Sequence, residues 1–151
     1  IFEISADGNN WQELKFKWKP VALDEWPAFV QPHQPRLDWQ LWFAGLFYDR
    51  VLGLFWRSFN REPESYDEIH RFIYKRYRQV YSRHLWVHNF MEGILNKSPA
   101  VLNLTAHKYI PEKPFYIRAW LFDYKFTTMG DNDWWIRKNK RLLFPEISIN
   151  K

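Results

Sequence analysis

The groups in this chain that could move a proton, hold a metal or attack a carbonyl are few and poorly spaced. There are five histidines and no cysteines. His84 and His88 are four residues apart and would share a helix face, but a zinc site needs three or four ligands and no neighbouring His or Cys completes one. The lack of cysteine also removes disulfides, thiolate sites and thiol nucleophiles, and leaves the redox compartment open. No serine sits in a nucleophile-elbow pattern. Glu62 and Glu64 form a pair of the type glycosidases use, yet they flank Pro63 in a stretch that reads as a solvated loop. Arg36 and Asp38 stand where a proline-rich loop turns into a helix. They are expected to act as an intramolecular cap or ion-pair network, because either charge buried alone is costly. The expectation is a non-catalytic chain with no cofactor and no metal.

Aromatic surface is what the chain has in excess. Ten Trp, eight Tyr and thirteen Phe make up 21% of it. Most of these rings are expected to build a core and its polar-tipped margin, and the remainder a platform for a partner. A clustered exposed row would favour a carbohydrate-binding module, and a broad mixed patch a protein contact. The formal charge of +5 comes from bases interspersed with acids, and no zinc-finger spacing or RNP-like motif is present, so no nucleic-acid partner is expected.

A length of 151 residues suits one domain. Ile1 to Ala6 carry neither an initiating Met nor a signal-peptide pattern, so the chain reads as an excerpt from a longer protein. Leu37 to Phe59 is apolar but broken by Asp38, Gln40, Asp49, Arg50 and Arg57, unlike a membrane span. Any membrane anchor is therefore expected elsewhere.

The elements that must position these residues follow from spacing. Ile1 to Ser5 is a strand, Asp7-Gly8-Asn9-Asn10 a turn, and Leu14, Phe16 and Trp18 alternate with charges as a second strand of an antiparallel hairpin. Pro20, Pro27, Pro32 and Pro35 mark an irregular crossing. From Leu37, helical spacing of Trp39, Trp42, Phe43, Leu46 and Phe47 predicts that this stripe enters the core. Val51 to Phe59 either continues that helix or starts another after Gly53. Ser65 and Glu68 resemble a capping box for a helix over 66–83, with Ile69, Phe72, Ile73, Arg76, Tyr77 and Val80 inward and Arg71, Lys75, Arg78 and Arg83 mostly outward. A helix over 85–95, a short apolar segment over 99–104 and a strand over 115–127 come next. A turn at 130–133 leads to extended pieces at 134–137, 142–144 and 147–149. In the first of these, Trp134 and Trp135 would point to opposite faces. The fold class is α+β, an antiparallel β-sheet or partial β-sandwich with a long helical excursion between strands.

Four blocks go beyond patterning. Pro32-His33-Gln34-Pro35-Arg36-Leu37-Asp38-Trp39-Gln40 runs on into Leu41-Trp42-Phe43-Ala44. Phe16-Lys17-Trp18-Lys19-Pro20 precedes it, and Leu95 through Ser98-Pro99-Ala100-Val101-Leu102-Asn103-Leu104 follows. Last comes Lys113-Pro114-Phe115-Tyr116-Ile117-Arg118-Ala119 with Tyr124-Lys125-Phe126-Thr127 and Trp134-Trp135-Ile136-Arg137. In this order the blocks resemble the lipase maturation factor family. The resemblance implies a multi-pass endoplasmic-reticulum membrane protein with a luminal carboxy-terminal region, of which residues 1–151 are the later part. It implies non-catalytic help in the folding, maturation and dimer assembly of secreted homodimeric lipases of the lipoprotein lipase kind. The family-signature residues carried over are His33, Pro35, Arg36, Asp38, Trp39, Trp134, Trp135 and Arg137. Residues 49–83 look longer than the family connection and read as a lineage-specific helical insertion. Asn96 and Asn103 head two N-glycosylation sequons, consistent with the luminal setting.

Overall fold

A computed structural model describes residues 1–19, 22–26, 29, 36–81, 85–106 and 116–148, with the side chains of Tyr66 and residues 77–81 left aside. His33, Pro35, His84, His107 and the prolines at 20, 27, 32, 111 and 114 lie outside these described residues. In chain order the elements are β1 (Phe2–Ser5), β2 (Gln12–Glu13), α1 (Arg36–Phe59), α2 (Tyr66–Tyr81), α3 (Leu85–Leu95), α4 (Pro99–Leu102), β3 (Tyr116–Phe126) and β4 (Trp135–Ser148). The strands form one sheet in the order β2-β1-β3-β4, antiparallel throughout. This is the α+β arrangement expected from strands on both sides of a helical excursion.

The first hairpin turns on Asp7. Its carboxylate accepts the backbone N–H groups of Asn9 and Asn10 at 2.8 Å each, together with the Ser5 hydroxyl and the Asn10 side-chain amide. The two backbone bonds do most to hold the Asp7 carboxyl well below the usual carboxylate range. Gly8, at φ +77°, supplies the left-handed residue that the turn requires.

The second strand differs from the one the alternation predicts. Leu14 and Phe16 are buried, but after the Leu14 amide donates to the Phe2 carbonyl the chain leaves β1 and its backbone groups find other partners. The Lys15 carbonyl accepts the Ala106 amide, Phe16 bridges to Thr105, and the amides of Trp18 and Lys19 donate to Asp38. Alternation reports which side chains are covered, not which chain segment pairs with the backbone.

A larger correction concerns α1. It is one continuous helix through Gly53, and its buried residues are Leu41, Ala44, Tyr48, Val51 and Phe55. Trp39, Trp42, Phe43 and Leu46, expected inside, are 48%, 64%, 46% and 52% exposed. Both sets have helical spacing, but at 100° per residue their centres lie on nearly opposite sides of the axis, about 170° apart. The narrower stripe wins because it lets the helix approach the sheet: a Cβ on Gly45 would sit 3.4 Å from Leu121.

At the start of α2 the Ser65 hydroxyl accepts the Glu68 amide, while Glu68 reaches back to the Glu64 amide and not to that of Ser65. Ile69 and Ile73 are buried as expected, whereas Arg76 is exposed, since an unpaired guanidinium gains nothing in an apolar seam. β4 runs unbroken from Trp135 to Ser148 where separate pieces are predicted; register shifts along its pairing with β3 absorb the irregular residues.

The core has two aromatic knots. Phe2, Phe16 and Phe90 join β1, the 14–19 segment and α3, with centroids 5.4–6.1 Å apart. Tyr48 of α1 meets Phe144 of β4 edge-on at 4.6 Å. Residues 49–83 are tied into this core through Val51, Phe55, Ile69 and Ile73.

Two glycines are expected to respond oppositely to alanine, as read by denaturant unfolding. Gly53 has open space where a Cβ would go, so Gly53→Ala should stabilise by about 0.5–1 kcal/mol. A Cβ on Gly93 would lie 2.5 Å from the branched Val101 side chain, so Gly93→Ala should destabilise by about 1–3 kcal/mol.

Candidate functional site

The aromatic residues of β3 meet cations contributed by the chain itself. The Arg118 guanidinium lies 3.7 Å from the Trp11 ring centroid and donates to Glu3 at 2.6 Å, and the Trp120 indole N–H donates to the same carboxylate at 2.9 Å. Lys140 stands 4.1 Å over Trp120. Arg137 lies 5.6 Å from the rings of Phe122 and Tyr124 while making a two-pronged pair with Glu13 at 2.6 and 3.2 Å. Sequence patterning misses this ladder, because its carboxylates are more than 100 residues away along the chain from the arginines they hold.

The outward stripe of α1 is differently placed. Trp39, Trp42 and Leu46 face Leu121, Phe126 and Trp135 of the β3–β4 ribbon across a groove of about 730 Å³. Within it Trp39 meets Phe43 edge-on at 4.7 Å, and Phe126 stacks on Trp135 at 4.5 Å. Such a volume suits a ligand or a partner's side chains.

Charged groups mark the two ends of the groove. At one end Arg141 donates to Asp49 and, at 3.0 Å, to Asp123. At the other, Asp38 accepts the amides of Lys19 at 3.0 Å and Trp18 at 3.3 Å, so this carboxylate ties a remote segment to the first turn of α1. Lys19 lines the same end. Its ammonium stands 5.7 Å from the Phe16 centroid and has no ion pair or hydrogen bond among the described residues. Desolvation pulls it down to about 8 against the attraction of Asp38. Tyr124 also lines the groove, but its hydroxyl is fully buried beside the Arg137 guanidinium. Its burial raises the phenol above its ordinary value, and Arg137 nearby partly opposes this.

The structure brings only some of the sequence candidates together. Asp38 and Trp39 line the groove, as does Trp135, whose indole N–H donates to the Glu25 carbonyl at 3.1 Å. Trp134 precedes β4 and packs edge-on against Trp26 at 4.0 Å. Arg137 belongs to the ladder, and Arg36 is exposed at the start of α1. Lys19 and Tyr124 were missed as candidates, although the Phe16 to Pro20 block contains the first. Asn96 and Asn103 are both exposed. His88 pairs with Glu92 at 3.1 Å and its ring lies 5.7 Å from that of His70. Among the described residues no three His, Cys, Asp or Glu side chains cluster as a metal would require. Glu62 and Glu64 are exposed, with Glu64 beside Arg61 at 3.6 Å.

What the groove offers is contact, through rings, one lysine and carboxylates already engaged. Residues 1–60 and 65–145 match the lipase maturation factor C-terminal domain, and the chain belongs to that family. It is 28% identical to lipase maturation factor 2 of Gallus gallus, over 99% of this chain and 18% of that protein. Against lipase maturation factor 2 of Homo sapiens the figures are 28%, 99% and 17%. Against lipase maturation factor 1 of Homo sapiens they are 24%, 97% and 22%. The chain thus spans less than a quarter of the length of these relatives. No solved structure matches it.

Lys19 carries a stability consequence with a definite sign. Its folded-state value of about 8 lies below the ordinary 10.5, so between those values the unfolded chain binds more protons and stability rises with pH. Lys19→Met should raise the unfolding free energy at neutral pH by on the order of 1 kcal/mol. That gain should shrink as pH rises through about 8, which denaturant midpoints measured across the pH series will read.

Proposed function

We propose that this domain is a non-catalytic luminal part of an endoplasmic-reticulum membrane protein that assists the folding and dimer assembly of secreted lipases of the lipoprotein lipase kind. The names of the relatives support the client class. Attachment to the membrane falls to other parts of the protein; no helix among the described residues is long and apolar enough to cross one.

The observation that carries the reading is the outward aromatic stripe of α1, where Trp39, Trp42, Phe43 and Leu46 lie side by side and largely uncovered. Large rings with a polar rim are what a protein surface uses to hold exposed apolar segments of a partner. Further exposed rings are spread over several elements, among them Trp26, Trp56, Phe59 and Trp134. A broad patch of this kind fits a protein contact, and the carbohydrate-binding alternative finds no support. Asp38 and Arg137 hold the domain in shape, and the signature tryptophans Trp39 and Trp135 present the surface.

The test is co-capture of newly made lipoprotein-lipase-like clients by the full protein. Trp42→Ala with Phe43→Ala should weaken capture about tenfold and lower the yield of active lipase dimer, while abundance and unfolding midpoint of the factor stay unchanged. Tyr48→Ala should lose capture together with the fold. Unchanged capture and unchanged lipase dimer with the Trp42/Phe43 variant would sink the reading.

A further inference from the structure

We propose that Asn103, and not Asn96, carries an N-linked oligosaccharide. The inference rests on the luminal setting proposed above, because the sugar donor is met there.

Both asparagines head an acceptor tripeptide, Asn96-Lys97-Ser98 and Asn103-Leu104-Thr105, and both are exposed. Exposure therefore does not separate them, and the demands of the transfer do. A bond forms between the side-chain amide nitrogen and the anomeric carbon of a lipid-diphosphate-linked oligosaccharide. The bond from that carbon to the phosphate oxygen breaks, the lipid diphosphate leaves, and one amide proton passes to a base of the transferase. The tripeptide must present its amide together with the hydroxyl two residues on, so its backbone has to exchange the contacts of the fold for those of the transferase. Segments that open locally at little cost can do this.

Asn96 sits at a junction that resists it. Its amide donates to the Glu92 carbonyl at 2.8 Å, the Lys97 amide to Ile94 at 3.0 Å and the Ser98 amide to Gly93 at 2.8 Å, with Lys97 left-handed at φ +53°. These bonds close the end of α3 and satisfy its last carbonyls. The Ser98 carbonyl in turn accepts the amides of Val101 and Leu102 at 3.0 and 2.9 Å. Releasing residues 96–98 thus undoes the end of α3 and the start of α4 together, next to the buried Ile94 and Leu95. Pro99 adds a second obstacle. It holds Ser98 extended, at φ −57° and ψ 118°, and offers no N–H beside the hydroxyl that has to be presented.

Asn103 lies past the end of that helical run. It follows α4, a four-residue helix with no buried residue. The Leu104 amide reaches Val101 and the Thr105 amide reaches Leu102, each at 3.0 Å, and the Thr105 hydroxyl donates to the same Leu102 carbonyl at 2.8 Å. Toward the rest of the chain, Thr105 forms an isolated bridge with Phe16, and the exposed Lys17 ammonium donates to the Asn103 carbonyl. Leu104 is 47% exposed and only the small Thr105 is buried, so releasing residues 103–105 moves no large core side chain. No proline follows Thr105; Ala106 does. The geometry leaves the second tripeptide free to act as acceptor, and afterwards the exposed Asn103 side chain lets the sugar project into solvent.

The test uses the full protein made in cells with a secretory pathway. Peptide-N-glycosidase removes the sugar and leaves an aspartate where it stood, so peptide mapping reads the modified position directly. Conversion is expected at Asn103 and not at Asn96. In denaturing gels, Asn103→Gln and Thr105→Ala should each remove one step of the glycosidase-sensitive shift, while Asn96→Gln and Thr105→Ser should keep it. Mapping on the unmodified sequence does not depend on how any variant folds. Conversion at Asn96, or at neither asparagine, overturns the proposal. Met129→Asn with Asp131→Thr writes an acceptor tripeptide into an exposed turn and tells this failure from that of the luminal reading. Sugar on that turn with none on Asn103 overturns the Asn103 assignment alone. Sugar on neither overturns the luminal setting, and the assignment with it.

Discussion

Tyr48 stands edge-on against Phe144, and the rotation of the longest helix depends on that contact. Once Tyr48 points at β4, residues three, four and seven positions away fall inward with it. Leu41, Ala44, Val51 and Phe55 therefore line the core, and Trp39, Trp42, Phe43 and Leu46 turn outward together. The helix is apolar over more of its circumference than the sheet can cover. Leaving these side chains outside forgoes roughly 1.5–3 kcal/mol of burial for each large one, and contiguous uncovered apolar surface of this kind marks an interaction site.

The same rotation places Asp38 where it can hold the amides of Trp18 and Lys19. This clamp brings the segment after β2 against the first turn of α1, where it closes one end of the groove. Lys19 comes with it and loses much of its water without gaining an ion pair among the described residues. A folded domain that retains such an amine gives up stability locally. On β3 and β4 the opposite solution holds: Arg118 and Arg137 have their carboxylates and rings supplied from within the chain.

Much of the architecture was legible in order. The helix over 85–95 has the bounds predicted, the turn at Asp7 uses the residues expected, and the strand over 115–127 differs from β3 by one residue at each end. These features rest on neighbours within a few residues: a period of 3.6, an Asx-type turn, a run of alternating rings. The resemblance blocks likewise identified the family that the whole-chain match shows. His33 and Pro35, also in those blocks, lie outside the described residues, so their part in the site is open to experiment.

By itself the sequence determined the element order, the α+β class, the absence of thiol chemistry and the family. Tertiary structure decided which stripe of α1 is buried, where the amides of Trp18 and Lys19 are satisfied, and which cations find carboxylates remote in sequence. The physical reason is the range of the competing interactions. Two stripes of α1 carry helical spacing, so local periodicity is nearly degenerate between them. The choice falls to the close approach of Gly45 to Leu121 and to the fit of Tyr48 on Phe144, residues 76 or more apart in the chain.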